Sequence, residues 1–480
     1  MTSTAGTVGA PGDSGRVPAR AWRALGVGAA GFVLFGFNAT ATNLAFGAII
    51  DTFPDVSESV VSWVASGFLV ASAAFLPLGG RLADRLGRRR IFNIGLVGFA
   101  VFAVLSAAAP TIWILIAGRV GQAIAGALVI PASLAMALPG FPEHRRSSAV
   151  ATWAAAGPLS AALAPSAAAA LLQVGSWRWV YLLSAPLALT VFAASLILVP
   201  RSKGADDDEA LDIVGTVLAT TSIALFIVGI SQSSDWGIAT PETVLTVVAS
   251  LMFGWWFIRR SQKHPAPLLN LSLLRIPEVA VANIANLLMS TTSLSIWLVW
   301  PLWLGRVWGY SSGRIGLAIT VGPVCAGTAT VLGGRLADRH GHRWLMIIGS
   351  ALATSAVLWS YVMLGREPDY VRELLPTIMG FGLGWGIANP SMNSWALSQV
   401  PQTAFGETNA TFNTIRNLGG AIGVSTVVSL IGDRDRPDVL AAYDRTNLFL
   451  ATAIGLSCVT VIVGTLVISR RKRRTVAPVH

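Results

Sequence analysis

Long apolar runs alternate with short polar connections along almost the whole chain. Most runs are about 20 residues long, the length that an α-helix needs to cross roughly 30 Å of hydrocarbon. Transmembrane β-strands would need only about ten residues of alternating polarity. The pattern therefore predicts an all-α polytopic membrane protein. We place its fourteen spans at 24–49, 59–79, 91–109, 111–138, 147–173, 177–199, 211–231, 241–258, 277–304, 313–333, 344–364, 374–397, 406–431 and 446–469.

Composition and charge agree with this prediction. The chain of 480 residues is 54% hydrophobic and 12% charged, and its mean hydropathy is +0.65. Of the 34 lysines and arginines, 24 fall on the side of the two termini and 8 on the opposite side. Since basic loops stay inside the cell, both termini are expected to be cytoplasmic. The net charge of +11 then reflects topology, and we expect no nucleic-acid partner.

A charged segment between two spans occurs twice. The first copy is GRLADRLGRRR at 80–90, and the second is GRLADRHGHR at 334–343, displaced by 254 residues. A repeat at this distance indicates an internal duplication, although a basic loop repeated by chance is the alternative. Glycines let helices approach closely, and arginines here stay on the cytoplasmic side. We therefore predict a gating role for these charged hinges, at Gly80, Asp84, Arg85, Gly87, Arg88, Gly334, Asp338, Arg339 and Gly341.

Both charged hinges resemble the loop signature of the major facilitator superfamily. The resemblance implies a major facilitator fold of two six-helix bundles around a central cavity, which work by rocking against each other. The two extra spans make the chain similar to the fourteen-helix drug:proton antiporter branch. We expect a disordered cytoplasmic tail, the first bundle, a linker with two inserted helices, the second bundle and a basic cytoplasmic tail, at 1–21, 22–199, 200–276, 277–469 and 470–480.

Polar residues in the first half mark a candidate site. Arg119 and Gln122 share a face of the fourth span, and an intramembrane guanidinium needs a wet cavity or a partner. The alternative is a structural role, in which Arg119 bonds to carbonyls of a neighbouring helix. The first span carries Asn38 and Asn43 in a segment similar to the antiporters' first-helix signature. That family usually has an aspartate at the position of Asn38 and a tyrosine at that of Phe68.

The second half carries further candidates for the substrate pathway. Trp297 lies too deep for an interface belt alone, so it either stacks on substrate or packs in the core. Asn389 and Asn393 share a face on one span, and Asn413 belongs to a stripe on the next. These asparagines either line the pathway or join helices. Arg416 reaches mid-depth, as Arg119 does, and two such cations favour an anionic substrate unless Arg416 merely anchors its helix.

Acidic residues are absent from the middle of every predicted span. Proton coupling is what the resemblance implies, yet the midplane offers no carboxylate or histidine for it. If protons are coupled, the carrier is an acid near a span end. The candidates are Glu407, Glu278 and Asp51.

Catalytic signatures do not support an enzyme. The chain lacks G-x-x-x-x-G-K-[ST] and H-E-x-x-H motifs, so neither ATP hydrolysis nor zinc catalysis is indicated. The segment GYSSG at 309–313 matches a serine-hydrolase pattern by letter only, because no strand precedes it and every histidine is predicted across the membrane. Cys325 and Cys458 lie within apolar runs. We therefore expect no cofactor, metal site or disulfide.

The resemblance implies an exporter of small lipophilic or drug-like compounds in the cell membrane. Its expected partners are the substrate, the lipid bilayer and protons, and we expect it to be a monomer. Two alternatives stay open. One is an uncoupled or anion-selective facilitator, and the other is a membrane sensor that binds ligand without transporting it.

Overall fold

A computed structural model of the chain describes residues 17–142, 149, 152–153, 156–200, 212–237, 240–264, 267–268, 271–401, 405–432 and 439–476. A few side chains inside these ranges lie outside the description, at 77, 84, 158–159, 161–162, 231, 234–235, 334–335, 338–340, 405–407, 410 and 470–476.

Fourteen long helices make up the described chain, and each overlaps one of the fourteen predicted spans. Short helical turns at Glu58–Val61, Arg178–Leu182 and Tyr370–Leu374 precede α2, α6 and α12. The long helices are α1 (Ala19–Thr52), α2 (Trp63–Leu86), α3 (Arg88–Ala107), α4 (Ile112–Ala137), α5 (Ala156–Val174), α6 (Ser184–Leu198), α7 (Ile213–Ser231), α8 (Pro241–Ser261), α9 (Pro277–Arg306), α10 (Ser312–His340), α11 (His342–Met363), α12 (Leu375–Leu397), α13 (Phe405–Ile431) and α14 (Val439–Val476).

Twelve of the described helical segments are long and apolar enough to cross a membrane. The other two long helices are α5, whose apolar part is the shorter stretch Leu163–Val174, and α12, which is rich in glycine and asparagine. Every regular element of the described ranges is helical. This is expected in lipid, where a helix satisfies its own backbone hydrogen bonds. The all-α prediction is confirmed.

The two charged hinges have the same backbone turn. Gly87 ends α2 with φ +98°, and Gly341 ends α10 with φ +77°. Each glycine N–H donates to a carbonyl four residues earlier, that of Ala83 or Ala337. Only glycine adopts such positive φ angles without strain. We call the membrane side that carries these turns the hinge end, and the opposite side the far end.

Close helix contact near the first hinge occurs at a different glycine from the one we expected. A Cβ added at Gly80 would meet only Cβ of Pro131, at 3.6 Å, which is an ordinary contact. A Cβ added at Gly79 would overlap the backbone carbonyl of Ala127 in α4. The expectation that Gly80 permits close approach is therefore wrong. One residue rotates the helix by about 100°, so the neighbouring glycine faces α4.

We predict that Gly79→Ala destabilises the protein by about 2 kcal/mol, because the added methyl group must push α2 away from a rigid backbone carbonyl. Thermal unfolding of the purified protein in detergent measures this loss. Gly80→Ala is the matched control, and it should change stability by less than about 0.5 kcal/mol. Equal effects of the two substitutions would contradict the packing described for α2 and α4.

The two halves contact each other through pairs of equivalent helices. The second helix of each half packs against the fifth helix of the other, which gives the pairs α2–α13 and α5–α10. Thr414 Oγ1 donates to the carbonyl of Ala73 across the first pair, at 3.2 Å. The hydroxyls of Ser166 and Thr320 are 2.8 Å apart across the second pair. This exchange of equivalent contacts is what a twofold relation between two bundles produces.

The inserted helices form a hairpin against one of these seams. Ser222 in α7 and Ser250 in α8 each donate a hydroxyl hydrogen bond to the other's backbone carbonyl, at 2.9 and 2.8 Å. Ile227 of α7 packs against Val70 of α2 and Ala421 of α13. The inserted pair therefore lies across the seam between α2 and α13.

Asp212 ties the inserted pair to the following linker. Its carboxylate accepts hydrogen bonds from Arg260 at 2.7 Å, from Gly215 N–H at 2.8 Å and from Leu268 N–H at 3.3 Å. Burial would raise the pKa of this carboxyl, but the three hydrogen bonds outweigh burial and hold the pKa below its usual value. Arg81 in the first hinge donates to the carbonyl of Pro267 at 2.7 Å. The linker is thus attached to the first half.

The hydrophobic core is shared at the far end and divided at the hinge end. The far-end cluster combines residues of both halves, for example Phe46 and Trp177 with Trp300 and Val428. Toward the hinge end, one cluster contains residues of the first half, and a separate cluster combines residues of the second half with Leu273 of the preceding linker. Among the described residues, no comparable cluster joins the halves at the hinge end. The halves are therefore closed together at the far end.

Candidate functional site

Arg119 is the centre of a buried polar network inside the first half. Its side chain is fully buried. Nη1 donates to Oδ1 of Asn38 in α1 and, at 2.9 Å, to Oε1 of Gln122. Nε donates to the carbonyl of Val64 in α2 at 3.2 Å. The guanidinium therefore joins three helices, and its acceptors replace the water lost on burial.

Two aromatic rings lie next to this guanidinium. Its Cζ lies 4.2 Å from the centre of the Phe68 ring and 5.2 Å from that of Tyr181, distances at which cation–π attraction operates. Nδ2 of Asn38 donates to Ser184 at 2.8 Å, which extends the network to α6. Phe68 stands where the resembling family usually has a tyrosine. It offers its ring to this arginine and has no hydroxyl group to bond to it.

The arginine network contains no ion pair. No carboxylate among the described residues contacts Arg119, and Asn38 supplies a neutral oxygen where the resembling family usually has an aspartate. The network holds a positive charge with dipoles and ring faces alone. The bond from Arg119 to the Val64 carbonyl is the kind expected if this arginine has a structural role. The Arg119 side chain is buried and does not reach the surface of the described chain.

A small cavity lies between the halves at the far end. Its volume is about 210 Å³, and its wall includes Asn43 and Asp51 of α1 with Arg306 of α9 and Tyr310 and Ser312 beyond it. The predicted candidate Asn43 therefore faces this cavity, apart from the arginine network. Residues of both halves line the cavity, so its shape depends on how the halves meet at the far end.

One buried ion pair connects the halves beside this cavity. Nη2 of Arg306 lies 2.7 Å from Oε1 of Glu58, and the two side chains are 13% and 6% exposed. Glu58 precedes α2 in the first half, whereas Arg306 ends α9 in the second. We call them the gate pair. Sequence analysis could not relate these two residues to each other, because they are 248 positions apart.

Asparagines of the second half form a hydrogen-bonded strip. Nδ2 of Asn389 donates to Oδ1 of Asn286 at 3.0 Å, which joins α12 to α9. Nδ2 of Asn393 donates to Oδ1 of Asn409 at 3.0 Å, and Asn413 donates to the Asn409 carbonyl at 2.8 Å. These bonds join α9, α12 and α13, as the alternative of interhelical contacts predicted. Whether the strip also lines the pathway stays a prediction.

Trp297 packs between helices of the second half. Its ring makes edge contacts with Trp300 and Phe381, with ring centres 5.2 and 6.4 Å apart. A Cβ on Gly322 would meet the Trp297 ring at 2.5 Å, so the indole also touches α10. The side chain is half-buried. Core packing accounts for these contacts, and substrate stacking on the remaining ring surface stays a prediction.

Arg416 is half-buried in α13 and differs from Arg119 in its surroundings. No hydrogen bond or ion pair joins its guanidinium to any residue that the structure describes. The structure therefore separates the two deep cations that the sequence grouped together. Arg119 is enclosed in the first half, and Arg416 is a donor without a described acceptor in the second.

The remaining hinge candidates lie at the hinge end. Arg88 donates to the carbonyl of Ala135 in α4 at 2.8 Å, and Arg85 is exposed. Five candidates fall outside the described side chains, namely Asp84, Gly334, Asp338, Arg339 and Glu407. Tyr181 and Ser184 of the arginine network were not predicted, because nothing in the local pattern of the sixth span relates them to Asn38 or Arg119.

The described residues offer no evident metal site. A search of them finds no group of three or more histidine, cysteine, aspartate or glutamate side chains that could hold an ion. Cys325 and Cys458 are both free thiols. The arrangement of the site is that of a binding and conformational device made of amides, aromatic rings and two deep guanidinium groups.

Comparison with known proteins gives matches along most of the chain. The sequence profile of the Major Facilitator Superfamily matches residues 28–267. The "Multidrug efflux pump LfrA" of Mycolicibacterium smegmatis is 28% identical, covering 90% of this chain and 83% of that protein. The "Probable actinorhodin transporter" of Streptomyces coelicolor is 29% identical, with coverage of 91% and 77%. A crystal structure of a D-xylose-proton symporter has the same fold, with a TM-score of 0.67, 15% identity and coverage of 92% and 97%.

Proposed function

Because this chain belongs to the Major Facilitator Superfamily, we propose that it exports small lipophilic or drug-like compounds across the cell membrane. It is a secondary transporter that works by alternating access. Relatives named as a multidrug efflux pump and an antibiotic transporter support this substrate range. The gate pair and the far-end cavity are each formed within one chain, which supports function as a monomer.

The division of the hydrophobic core is the observation that carries this proposal. The halves share one cluster at the far end and have separate clusters toward the hinge end. Such an arrangement is the one expected of a transporter closed at the far end, in which a solute would enter between the halves from the hinge end. Rocking the halves about the α2–α13 and α5–α10 seams would reverse it. Alternating access requires that the two ends close in turn, one while the other is open.

The hinge end faces the cytoplasm in this proposal. Basic loops favour the cytoplasmic side of a membrane, and most of the lysines and arginines belong to that side of our map. Both termini are then cytoplasmic, and the state described is open toward the cytoplasm. Entry of substrate from the cytoplasm or the inner leaflet, followed by opening at the far end, gives export.

Proton coupling is the finer part of the proposal. The buried carboxylates Glu58 and Glu278 lie at opposite ends of the helices, and each is 5% exposed. Neither lies at mid-depth, where Asn38 supplies an amide in place of a carboxylate. A proton-coupled cycle would therefore use acids at the membrane surfaces. The same observation favours an uncoupled facilitator as the second candidate.

Flux into vesicles of known orientation tests these proposals. We expect purified protein in liposomes to move at least one of ethidium, Nile red and fluorescein when an imposed pH gradient drives exchange. Dissipating the gradient with a protonophore should abolish accumulation, and protein-free liposomes give the background. Equal flux with and without the gradient would favour the facilitator. Absence of flux for all three dyes would contradict transport of this kind.

A further inference from the structure

We propose that the transported compounds include amphipathic acids, and that Arg416 binds their carboxylate with help from the indole N–H of Trp385. This inference rests on the proposed export function and specifies its substrate class. An aromatic or other apolar body with one carboxylate is the ligand expected.

Arg416 faces the interior of the second half. It follows Asn409 and Asn413 at helical spacings of seven and three residues, so the three side chains share one side of α13. Asn409 accepts a hydrogen bond from Asn393 of α12, which places this side toward α12. Thr414 points the other way, to the α2 carbonyl of Ala73. The guanidinium therefore lies among helices and away from lipid.

The charge of Arg416 has no compensation among the described residues. Neither an ion pair nor a hydrogen bond joins it to them, and the side chain keeps partial exposure. A cation at mid-depth costs several kcal/mol unless it faces water or an anion. Arg119 solves this problem with amide and carbonyl oxygens. Within the described part of the chain, none of the five N–H donors of Arg416 has an acceptor, so they can serve a ligand.

Trp385 places a second donor at the same depth. Its Nε1 is buried and has no acceptor among the described residues. The Asn393–Asn409 bond sets the register between the antiparallel helices α12 and α13. Trp385 comes eight residues before Asn393 in α12, which is about 12 Å along the helix axis. Arg416 comes seven residues after Asn409 in α13, which is about 11 Å in the same direction because the helices are antiparallel. Both donors are therefore at one level, on the hinge-end side of the shared core.

A carboxylate is the group that suits these donors chemically. The guanidinium fork donates two parallel hydrogen bonds to it, and in the proposed complex one carboxylate oxygen also accepts from the indole. An aromatic body next to it would contact the half-buried Trp385 ring. A cationic compound would meet repulsion at the same place. The donors thus favour an acid over a neutral or basic compound of the same shape.

Binding of two matched probes tests the inference on the purified full-length protein. Naphthoate and naphthamide have the same ring and nearly the same shape, but only naphthoate is an anion at neutral pH. We expect calorimetry to give naphthoate an affinity about tenfold higher, since a charged hydrogen bond is lost with the amide. Equal affinities, a preference for naphthamide, or binding of neither probe would overturn the inference.

Substitutions locate the preference. Arg416→Gln should bring the two affinities to within about twofold, whereas Arg416→Lys should keep most of the difference because the charge remains. Trp385→Phe should reduce the preference by about threefold through loss of one neutral donor. Arg275→Gln, at an exposed arginine of the hinge end, is the control and should leave the preference unchanged. An Arg416→Gln protein that keeps the tenfold preference contradicts the assignment.

The wild-type probe comparison needs no variant, so it decides the question even if Arg416→Gln does not fold. Dye flux separates this inference from the proposed function. If liposomes transport a dye while naphthoate shows no advantage, the acidic substrate class is wrong and export stands. If no dye is transported, the export function fails and this inference fails with it.

Discussion

Arg119→Leu is expected to abolish transport and to lower the free energy of unfolding by about 4 kcal/mol. The substitution leaves Oδ1 of Asn38 and Oε1 of Gln122 without their donor, and it removes the bond that ties Arg119 to the Val64 carbonyl. Each buried acceptor without a hydrogen bond costs about 1 to 3 kcal/mol. Because these acceptors belong to α1, α2 and α4, the loss loosens the first half as a unit. Thermal unfolding in detergent and dye flux in liposomes measure the two effects.

Two further variants test whether the effect of Arg119→Leu comes from the hydrogen-bonded network or from the loss of any one arginine. Arg178→Leu removes a guanidinium that makes a single described hydrogen bond, to the Ala109 carbonyl at 3.1 Å, and should cost less than about 1.5 kcal/mol. Asn38→Asp keeps the acceptor oxygen beside Arg119 and adds a compensating charge, so stability should not fall by more than about 1 kcal/mol. Wild-type stability of Arg119→Leu would show that the network does not hold these helices together.

Arg306→Gln is expected to shift the protein toward a state that is open at the far end. The substitution removes the cation that pairs with the buried Glu58 carboxylate, and the loss of one charge from a buried pair costs about 3 to 5 kcal/mol. Opening the far end returns that carboxylate to water. The equilibrium should therefore move by about a hundredfold or more. Spin labels on cysteines placed at the exposed Asp55 and Glu367 would report a longer distance, after both native cysteines are replaced by serine.

Restoring the pair should restore the closed far end. Arg306→Lys keeps a cation next to Glu58 and should retain the short label distance. Exchanging the charges, with Glu58→Arg combined with Arg306→Glu, should recover it at least in part. If Arg306→Gln gives the same distance distribution as the parent protein, the gate pair does not hold the halves together.

Sequence alone located the helices well because lipid leaves the backbone few choices. A segment in the bilayer must satisfy its own hydrogen bonds, so a long apolar run is almost always a helix. The turns at Gly87 and Gly341 can also be inferred from sequence, since a repeated glycine at the end of a helix is typical of a positive φ angle. These features depend on a few neighbouring residues.

Contacts between distant helices could not be derived in this way. The rotation of α2 that puts Gly79 against the backbone of α4, and leaves Gly80 at an ordinary distance from Pro131, depends on how two helices cross. The bonds that join Asn38 to Ser184, and Arg306 to Glu58, connect positions 146 and 248 residues apart. Nothing in the local pattern of either partner specifies the other. The sequence therefore identified Arg119 and Arg416 as unusual but could not tell that Arg119 has acceptors and that Arg416 has none among the residues described.

The position of α7 makes the surroundings of the two bundles asymmetric. This helix covers the seam between α2 and α13, while neither inserted helix packs extensively on the α5–α10 seam in the described part of the chain. A compound dissolved in the bilayer thus meets the inserted hairpin on one flank of the transporter and the bare α5–α10 seam on the opposite flank. We expect lateral entry from the membrane, if the halves separate, to occur on the α5–α10 flank.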